Sequence, residues 1–151
     1  MAHLTKFLRK SPADQRMLAL AAILHVVVTI AVRALPLGRV RQILGRVAAI
    51  ATRRLGAADG DARVAQAVRT VSLVLPGATC LTEALVANCL LTRSPGETTL
   101  CFGVSRVRPA ERPFDAHAWL ERRGATLIGA RAIAYDPLRP TSRCVSSPLP
   151  R

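Results

Sequence analysis

Hydrophobic residues recur at helical spacing through the N-terminal half of the chain. Ser11-Pro12-Ala13-Asp14 is typical of a helix start, with Ser11 as the N-cap, proline at the first helical position and an acid near the positive end of the helix dipole. The helix should end near Leu35, because Pro36 follows. Its stretch from Met17 to Val32 is uncharged and apolar nearly all round. We therefore expect this helix to lie deep in the core or against another hydrophobic surface.

Three more helices are predicted from the same periodicity, and each is bounded by glycine, proline or a capping residue. They cover Gly38 to Leu55, Ala62 to Leu75 with Asp61 as its cap, and Cys80 to about Arg93 with Thr79 as its N-cap. The turn-rich segment from Gly56 to Asp61 is the strongest internal boundary. We therefore divide the chain into a helical region at residues 1–56, a core at residues 57–140 and an irregular tail at residues 141–151, within one compact domain.

The hydrophobic period changes from helical to alternating after the helix-breaking cluster Ser94-Pro95-Gly96. Alternation predicts three strands, the last two of them joined by a turn at Arg122-Arg123-Gly124. The strands cover Thr98 to Ser105, Phe114 to Glu121 and Ala125 to Gly129. Because the helices come first and an antiparallel sheet follows, the predicted fold class is α+β.

Charge and composition limit the classes of partner without selecting one. The net charge is +13, and Lys6 and Lys10 are the only lysines among 22 basic residues. Such a balance can indicate nucleic acid, an anionic membrane or an acidic peptide, although arginine-rich usage also follows from GC-rich coding. The chain has only three Phe, one Trp and one Tyr, and no basic block interleaved with aromatic residues. We therefore expect no nucleic-acid partner.

The cysteines and the N-terminal sequence indicate whether the protein is secreted or stays in the cytoplasm. Four cysteines could form two disulfides in a secreted protein, but secretion would require a signal peptide. Asp14 and Arg16 directly precede the apolar run, and Arg33 follows it without a small-residue cleavage site. The run has 16 residues, short of the roughly 20 needed to cross a bilayer. We favour a reducing cytoplasm, with the first helix buried or in peripheral contact with a membrane through residues 17–32.

Cys80 lies in the first turn of the fourth predicted helix, after the helix breakers Pro76 and Gly77. A thiol there is at the positive end of the helix dipole, among backbone N–H groups without partners, and this favours the thiolate. Most free cysteines are instead small buried residues, and Cys89 fits that packing role. The chain has no CxxC or HExxH spacing, so we expect no metal site and no cofactor.

His117, Trp119 and Glu121 alternate along the second predicted strand and therefore share one of its faces. A lone histidine on a strand is more often structural than catalytic. Here it follows a cysteine at a helix start, the order in which papain-like and transglutaminase-like enzymes bring an imidazole against a thiol. In such a pair the thiolate attacks a carbonyl carbon, and the histidine carries the proton to the leaving amine.

The same residues resemble the transglutaminase-like leader peptidases of lasso peptide biosynthesis. The resemblance covers roughly residues 70–140 and lies in Cys80-Leu81 after Leu75-Pro76, Gly103-Val104, Phe114-x-Ala-His117-Ala-Trp-Leu-Glu121, Leu127-Ile128-Gly129 and Tyr135-x-Pro137-Leu138. It implies a transglutaminase/papain-like core and a cysteine peptidase, free of cofactor and metal, that removes the leader from a ribosomally made precursor. It also implies two protein partners, a separate leader-recognition protein and the cyclase that closes the macrolactam.

The resemblance also implies a third catalytic residue, an acid that orients His117. A three-residue turn after the second strand would set Gly129 opposite His117, where that acid is expected, and Gly129 has no carboxylate. Asp136 could fold back from the next loop and ranks first, although it could equally be a simple turn residue. Asp115 lies two positions before His117 on the same face and ranks second. A backbone carbonyl or a water molecule stays open as the orienting group.

Two other functions compete with the peptidase. A transglutaminase-like acyl transferase or amidase would use the same Cys80 and His117. A non-catalytic basic module would bind a membrane or nucleic acid through Arg39 to Arg54. Its binding would be salt-sensitive and would survive the loss of Cys80.

Overall fold

The structure is a computed structural model that describes residues 11–55, 60–91, 98–105, 115–130 and 135–138. Within them, four helices precede an antiparallel four-stranded sheet, so the predicted α+β class is confirmed. The helices are α1 (Pro12–Ala34), α2 (Leu37–Leu55), α3 (Asp61–Ser72) and α4 (Cys80–Leu91). The strands are β1 (Thr98–Ser105), β2 (Ala116–Arg122), β3 (Ala125–Ile128) and β4 (Tyr135–Pro137). Most of the predicted boundary at residues 56–61, the breaker at residues 94–96 and the tail at residues 141–151 lie outside the described residues.

The start of α1 confirms the prediction, whereas the start of α3 corrects it. Ser11 is the N-cap of α1, and its hydroxyl accepts a hydrogen bond from the Asp14 backbone N–H at 3.2 Å. At α3 the N-cap is Gly60, and Asp61 is the first helical residue. The Asp61 carboxylate does not cap the helix but pairs with Arg122, whose side chain is 2% exposed at the end of β2. This ion pair ties the start of α3 to the sheet.

One face of α1 is buried and the other is exposed, so the expectation of deep burial holds for half of the helix. Large aliphatic side chains on the outer face include Ile23 and Ile30, which are 62% and 61% exposed. α1 has 23 residues and is long and apolar enough to cross a membrane, which the 16-residue run alone did not suggest. A half-buried core helix meets the same criterion, so membrane contact stays a prediction.

The central element of the fold is α4, which is buried almost all round. It packs against α1, α2 and α3 on one side and against β1, β2 and β3 on the other. Its buried residues are Thr82, Ala84, Leu85, Val86, Ala87, Cys89, Leu90 and Leu91. Because Cys80 is the first residue of this helix, the packing of α4 also fixes where the thiol lies.

The sheet has the strand order β3-β2-β1-β4. In the register of β1 and β2, Leu100 lies opposite Leu120 and Gly103 lies opposite His117. The strand β4 was not predicted, because three residues are too few for alternation to be recognised. It pairs with β1 and places Asp136 opposite Val104. The sheet therefore places the last described segment of the chain next to β1, one strand away from β2 and His117.

The hairpin between β2 and β3 corrects the predicted turn. Its connection has two residues, Arg123 and Gly124, with φ angles of 52° and 76°. Positive φ at both positions is typical of a type I′ turn, which matches the twist of the flanking strands. With the irregular register at Leu120, this turn moves Gly129 beside Trp119 instead of opposite His117.

Gly103→Ala should destabilise the protein by about 1–3 kcal/mol, because an added methyl group overpacks the sheet. Its Cβ would lie 2.8 Å from the Asp136 carbonyl oxygen and 2.9 Å from both Trp119 Cζ3 and Tyr135 Cβ. The matched control is Gly45→Ala in α2, where a Cβ meets nothing within 4 Å. That control should gain roughly 0.5–1 kcal/mol from helix propensity. Urea unfolding measures both values, and wild-type stability of Gly103→Ala would show that these three neighbours move aside without cost.

Candidate active site

Cys80 is presented by a reciprocal cap at the start of α4. The Thr79 hydroxyl accepts a hydrogen bond from the Thr82 backbone N–H at 3.2 Å, and the Thr82 hydroxyl accepts one from the Thr79 N–H at 2.8 Å. Thr79 is therefore the N-cap, as predicted. Within the described residues, the N–H groups of Cys80 and Leu81 are left without partners, as is the half-buried Cys80 thiol. The thiol and these two donors occupy the same helix start.

A cleft of about 660 Å³ connects this helix start to the sheet. Cys80 and His117, the two residues on which the predicted chemistry depends, both line it. Asp115, the runner-up for the third position, lines it as well, whereas Asp136 is not among the described residues that do. The fold thus brings the predicted nucleophile and the predicted base into one cavity.

The His117 ring is held by a backbone carbonyl group. His117 is 5% exposed, and its Nε2 lies 2.6 Å from the carbonyl oxygen of Gly129. A carbonyl oxygen can only accept a hydrogen bond, so Nε2 carries the hydrogen. The other ring nitrogen, Nδ1, is buried and has no partner among the described residues. In the neutral ring Nδ1 is therefore an unoccupied proton acceptor.

Two aromatic rings flank His117 and restrict its plane. The Trp119 ring is nearly parallel to it, at 17° with centroids 6.1 Å apart, and the Tyr135 ring lies 4.8 Å away at 34°. Each neighbour is fixed in turn. Trp119 Nε1 donates to a Glu121 carboxylate oxygen at 2.7 Å, and the Tyr135 hydroxyl donates to Asp115 at 3.0 Å. Trp119 therefore packs beside the candidate site.

The three candidates for the orienting group occupy different places. Asp115 binds the hydroxyl of Tyr135, so it reaches His117 only through the Tyr135 ring. Asp136 directly follows Tyr135 in β4, and successive strand residues point to opposite faces. The position next to Nε2 is taken by the Gly129 carbonyl oxygen, the type of group that sequence reasoning had left open. The role of Asp136 stays a prediction.

Sequence reasoning missed two charged residues that line the cleft. Glu83 follows Cys80 by three positions, a spacing that places both on one face of a helix, and this signal was available. Arg69 comes from α3, and its guanidinium donates to the Leu127 carbonyl oxygen at 3.1 Å. No local pattern links Arg69 to the site, because only the packing of α3 beside β3 brings it there.

None of the other histidines and cysteines that the structure describes lines the cleft. His25 in α1 is 1% exposed, and burial lowers its pKa while the nearby charge of Glu83 raises it to a smaller extent. Cys89 is buried, and its thiol donates to the Leu44 carbonyl oxygen at 3.7 Å. His3 and Cys144 lie outside the described residues. Across the described ranges, no group of three or more His, Cys, Asp or Glu could hold a metal ion.

We expect the neutral His117 ring to be the Nε2–H tautomer, because the Gly129 carbonyl can only accept. Long-range proton–nitrogen correlation spectra of labelled protein distinguish the two tautomers. Gly129→Ala should perturb the tautomer, because Gly129 has a φ of +84° and a Cβ there would lie 2.9 Å from the Ala118 carbonyl oxygen. Gly124→Ala, also at positive φ but with nothing within 4 Å of its Cβ, is the control. A wild-type Nδ1–H tautomer would contradict the assignment.

Comparison with protein families matches residues 22–142 to the transglutaminase-like superfamily. Searches of curated proteins and of solved structures found no significant match. The matched range contains α4 with Cys80, β2 with His117 and the other three strands of the sheet. Because the match spans most of the chain, this protein belongs to the transglutaminase-like superfamily.

Proposed function

We propose that this protein is a cysteine peptidase that removes the leader from a ribosomally synthesised lasso peptide precursor. The observation that carries the proposal is the shared cleft of Cys80 and His117, where Nδ1 of the histidine has no hydrogen-bond partner in the part of the chain that the structure describes. Membership of the transglutaminase-like superfamily supports cysteine-peptidase or acyl-transfer chemistry. The finer assignment is supported by the resemblance of the segment from Phe114 to Glu121 to the leader peptidases.

In the first half of the reaction, Nδ1 of His117 accepts the proton of the Cys80 thiol. The thiolate attacks the carbonyl carbon of the scissile peptide bond, and the N–H groups of Cys80 and Leu81 donate hydrogen bonds to the oxyanion that forms. When the C–N bond breaks, the protonated imidazole returns the proton to the leaving amine. The acyl group of the leader then remains on Cys80 as a thioester.

In the second half, water replaces the amine. Nδ1 of His117 takes a proton from the water as its oxygen attacks the thioester carbonyl. The C–S bond breaks, the leader leaves as a carboxylic acid, and Cys80 is reprotonated. The amine released earlier is the new N-terminus of the core peptide, the group that a macrolactam-forming cyclase acylates. Peptide hydrolysis therefore supplies the nucleophile for ring closure.

The Gly129 carbonyl orients His117 during both halves of the reaction. A carboxylate in that place would also stabilise the imidazolium by charge, which a neutral carbonyl does less well. Trp119 and Tyr135 also help to orient His117, because their rings restrict the plane of the imidazole without contacting Nε2. In this proposal the peptidase works in the cytoplasm with a separate leader-recognition protein and the cyclase, and it requires no metal or cofactor.

Cys80→Ala should abolish cleavage of a precursor peptide, because the site loses its nucleophile but little volume. Mass spectrometry of a precursor incubated with the protein and a leader-recognition protein measures the cleavage. Cys89 lies on the same helix but is buried, so Cys89→Ala is the control. Its cleavage rate should stay within a small factor of the wild-type rate. Equal inactivation by both changes would mean that the cysteines serve structure. Amide exchange instead of free carboxylate product would identify an acyl transferase.

The orienting group is tested by cleavage rates of three variants. If the Gly129 carbonyl alone holds His117, Asp136→Asn should keep close to the wild-type rate, whereas His117→Ala should remove activity. Asp115→Asn should reduce the rate severalfold, because it loosens Tyr135 on the imidazole face. A loss in Asp136→Asn approaching that of His117→Ala, in a variant that folds normally, would show that Asp136 is the third catalytic residue.

A further inference from the structure

Glu83 places a negative charge beside the candidate nucleophile. It lies three residues after Cys80 in α4, so the Cβ atoms of the two residues are about 5–6 Å apart on one helix face. Both side chains line the cleft. Glu83 is half-buried, and within the described residues its side chain has no hydrogen bond and no ion pair. Its carboxylate is therefore available to a ligand in the cleft.

Among the residues that the structure describes, neighbouring groups do not neutralise this charge. His25, whose ring feels the charge of Glu83, is deeply buried, and burial lowers its pKa, so the ring is uncharged at neutral pH. Arg69 is the single cation among the described lining residues, and it donates to the Leu127 carbonyl oxygen. Asp115 adds a second carboxylate to the same cavity. With two carboxylates and one guanidinium, these lining residues carry a net charge of −1, in a chain whose net charge is +13.

We infer that Glu83 is a specificity-determining residue that selects a positively charged side chain, Lys or Arg, next to the scissile bond. This inference rests on the proposed peptidase function and adds the class of substrate residue. The charge of the rest of the protein would repel such a residue, so the attraction must be local. Glu83 lies one helical turn from the nucleophile, with Cβ atoms about 6 Å apart, so its carboxylate is close enough to act on the residue adjoining the cleaved bond.

The electrostatic part of the inference can be measured without a substrate. A cationic and an anionic methanethiosulfonate of similar size are reacted with the full protein, and peptide mapping gives the rate of modification of Cys80. The cation-to-anion rate ratio should fall about three- to tenfold in Glu83→Gln at low salt, and the difference should shrink as salt is added. Asp14→Asn, which removes a carboxylate on α1 paired with Arg63, should leave the ratio unchanged. An unchanged ratio in Glu83→Gln would overturn the inference.

The substrate part uses precursor peptides in which each residue flanking the cleaved bond is in turn Lys, norleucine or Glu. Wild type should cleave the Lys peptide severalfold faster than its norleucine match at one position. Glu83→Gln should lose that preference, and Glu83→Lys should transfer it to the Glu peptide. Equal cleavage of all peptides by wild type would overturn the specificity while leaving the peptidase intact. Failure to cleave any peptide would overturn the peptidase, and the substrate role of Glu83 with it.

Discussion

The burial of α4 between two layers is the constraint on which the rest of the structure depends. Its leucines are covered by three helices on one side and by the sheet on the other. Burying each of Leu85, Leu90 and Leu91 contributes about 1.5–3 kcal/mol, more than a typical exposed ion pair such as that between Arg63 and Asp14. A helix that is apolar all round has no face to turn to water, so both layers must close on it. The N-terminus of α4, with Cys80, is thereby held at the edge of both layers.

The histidine is held by means that do not require a charged partner. The backbone of Gly129 supplies the acceptor for Nε2, and the left-handed conformation at that position is one that glycine adopts easily. Gly103 has a complementary role on β1, because the absence of a side chain leaves room for the Trp119 ring and for the Cβ of Tyr135. Together these residues fix the tautomer and the plane of His117, and they leave Nδ1 for proton transfer.

The distribution of charge separates the site from the rest of the surface. A net charge of +13 describes a chain that should attract anions in general. Close to Cys80 the fields of individual groups dominate, because Coulomb interactions fall off within about 8–10 Å at physiological salt. Glu83 and Asp115 therefore determine the local potential more than distant arginines do. The composition of the whole chain is a poor guide to what this cleft accepts.

Several features were determined by the sequence alone because they depend on neighbours along the chain. The cap at Thr79 places Cys80 at a helix start, and alternation places His117 and Trp119 on one strand face. The α+β order follows from the change of hydrophobic period, and β1 has the bounds that alternation predicted. Each of these depends on contacts between residues a few positions apart, which local periodicity and capping rules describe.

The group that orients His117 was decided only by the tertiary structure. A two-residue turn and an irregular register at Leu120 moved Gly129 by enough to present its carbonyl to Nε2. A shift of one residue in pairing changes every cross-strand neighbour, and sequence patterns do not resolve it. Arg69 lines the cleft because α3 packs beside β3, and Asp115 accepts a hydrogen bond from Tyr135 because β4 pairs with β1. Such contacts join distant parts of the chain, and only the packing around α4 selects them.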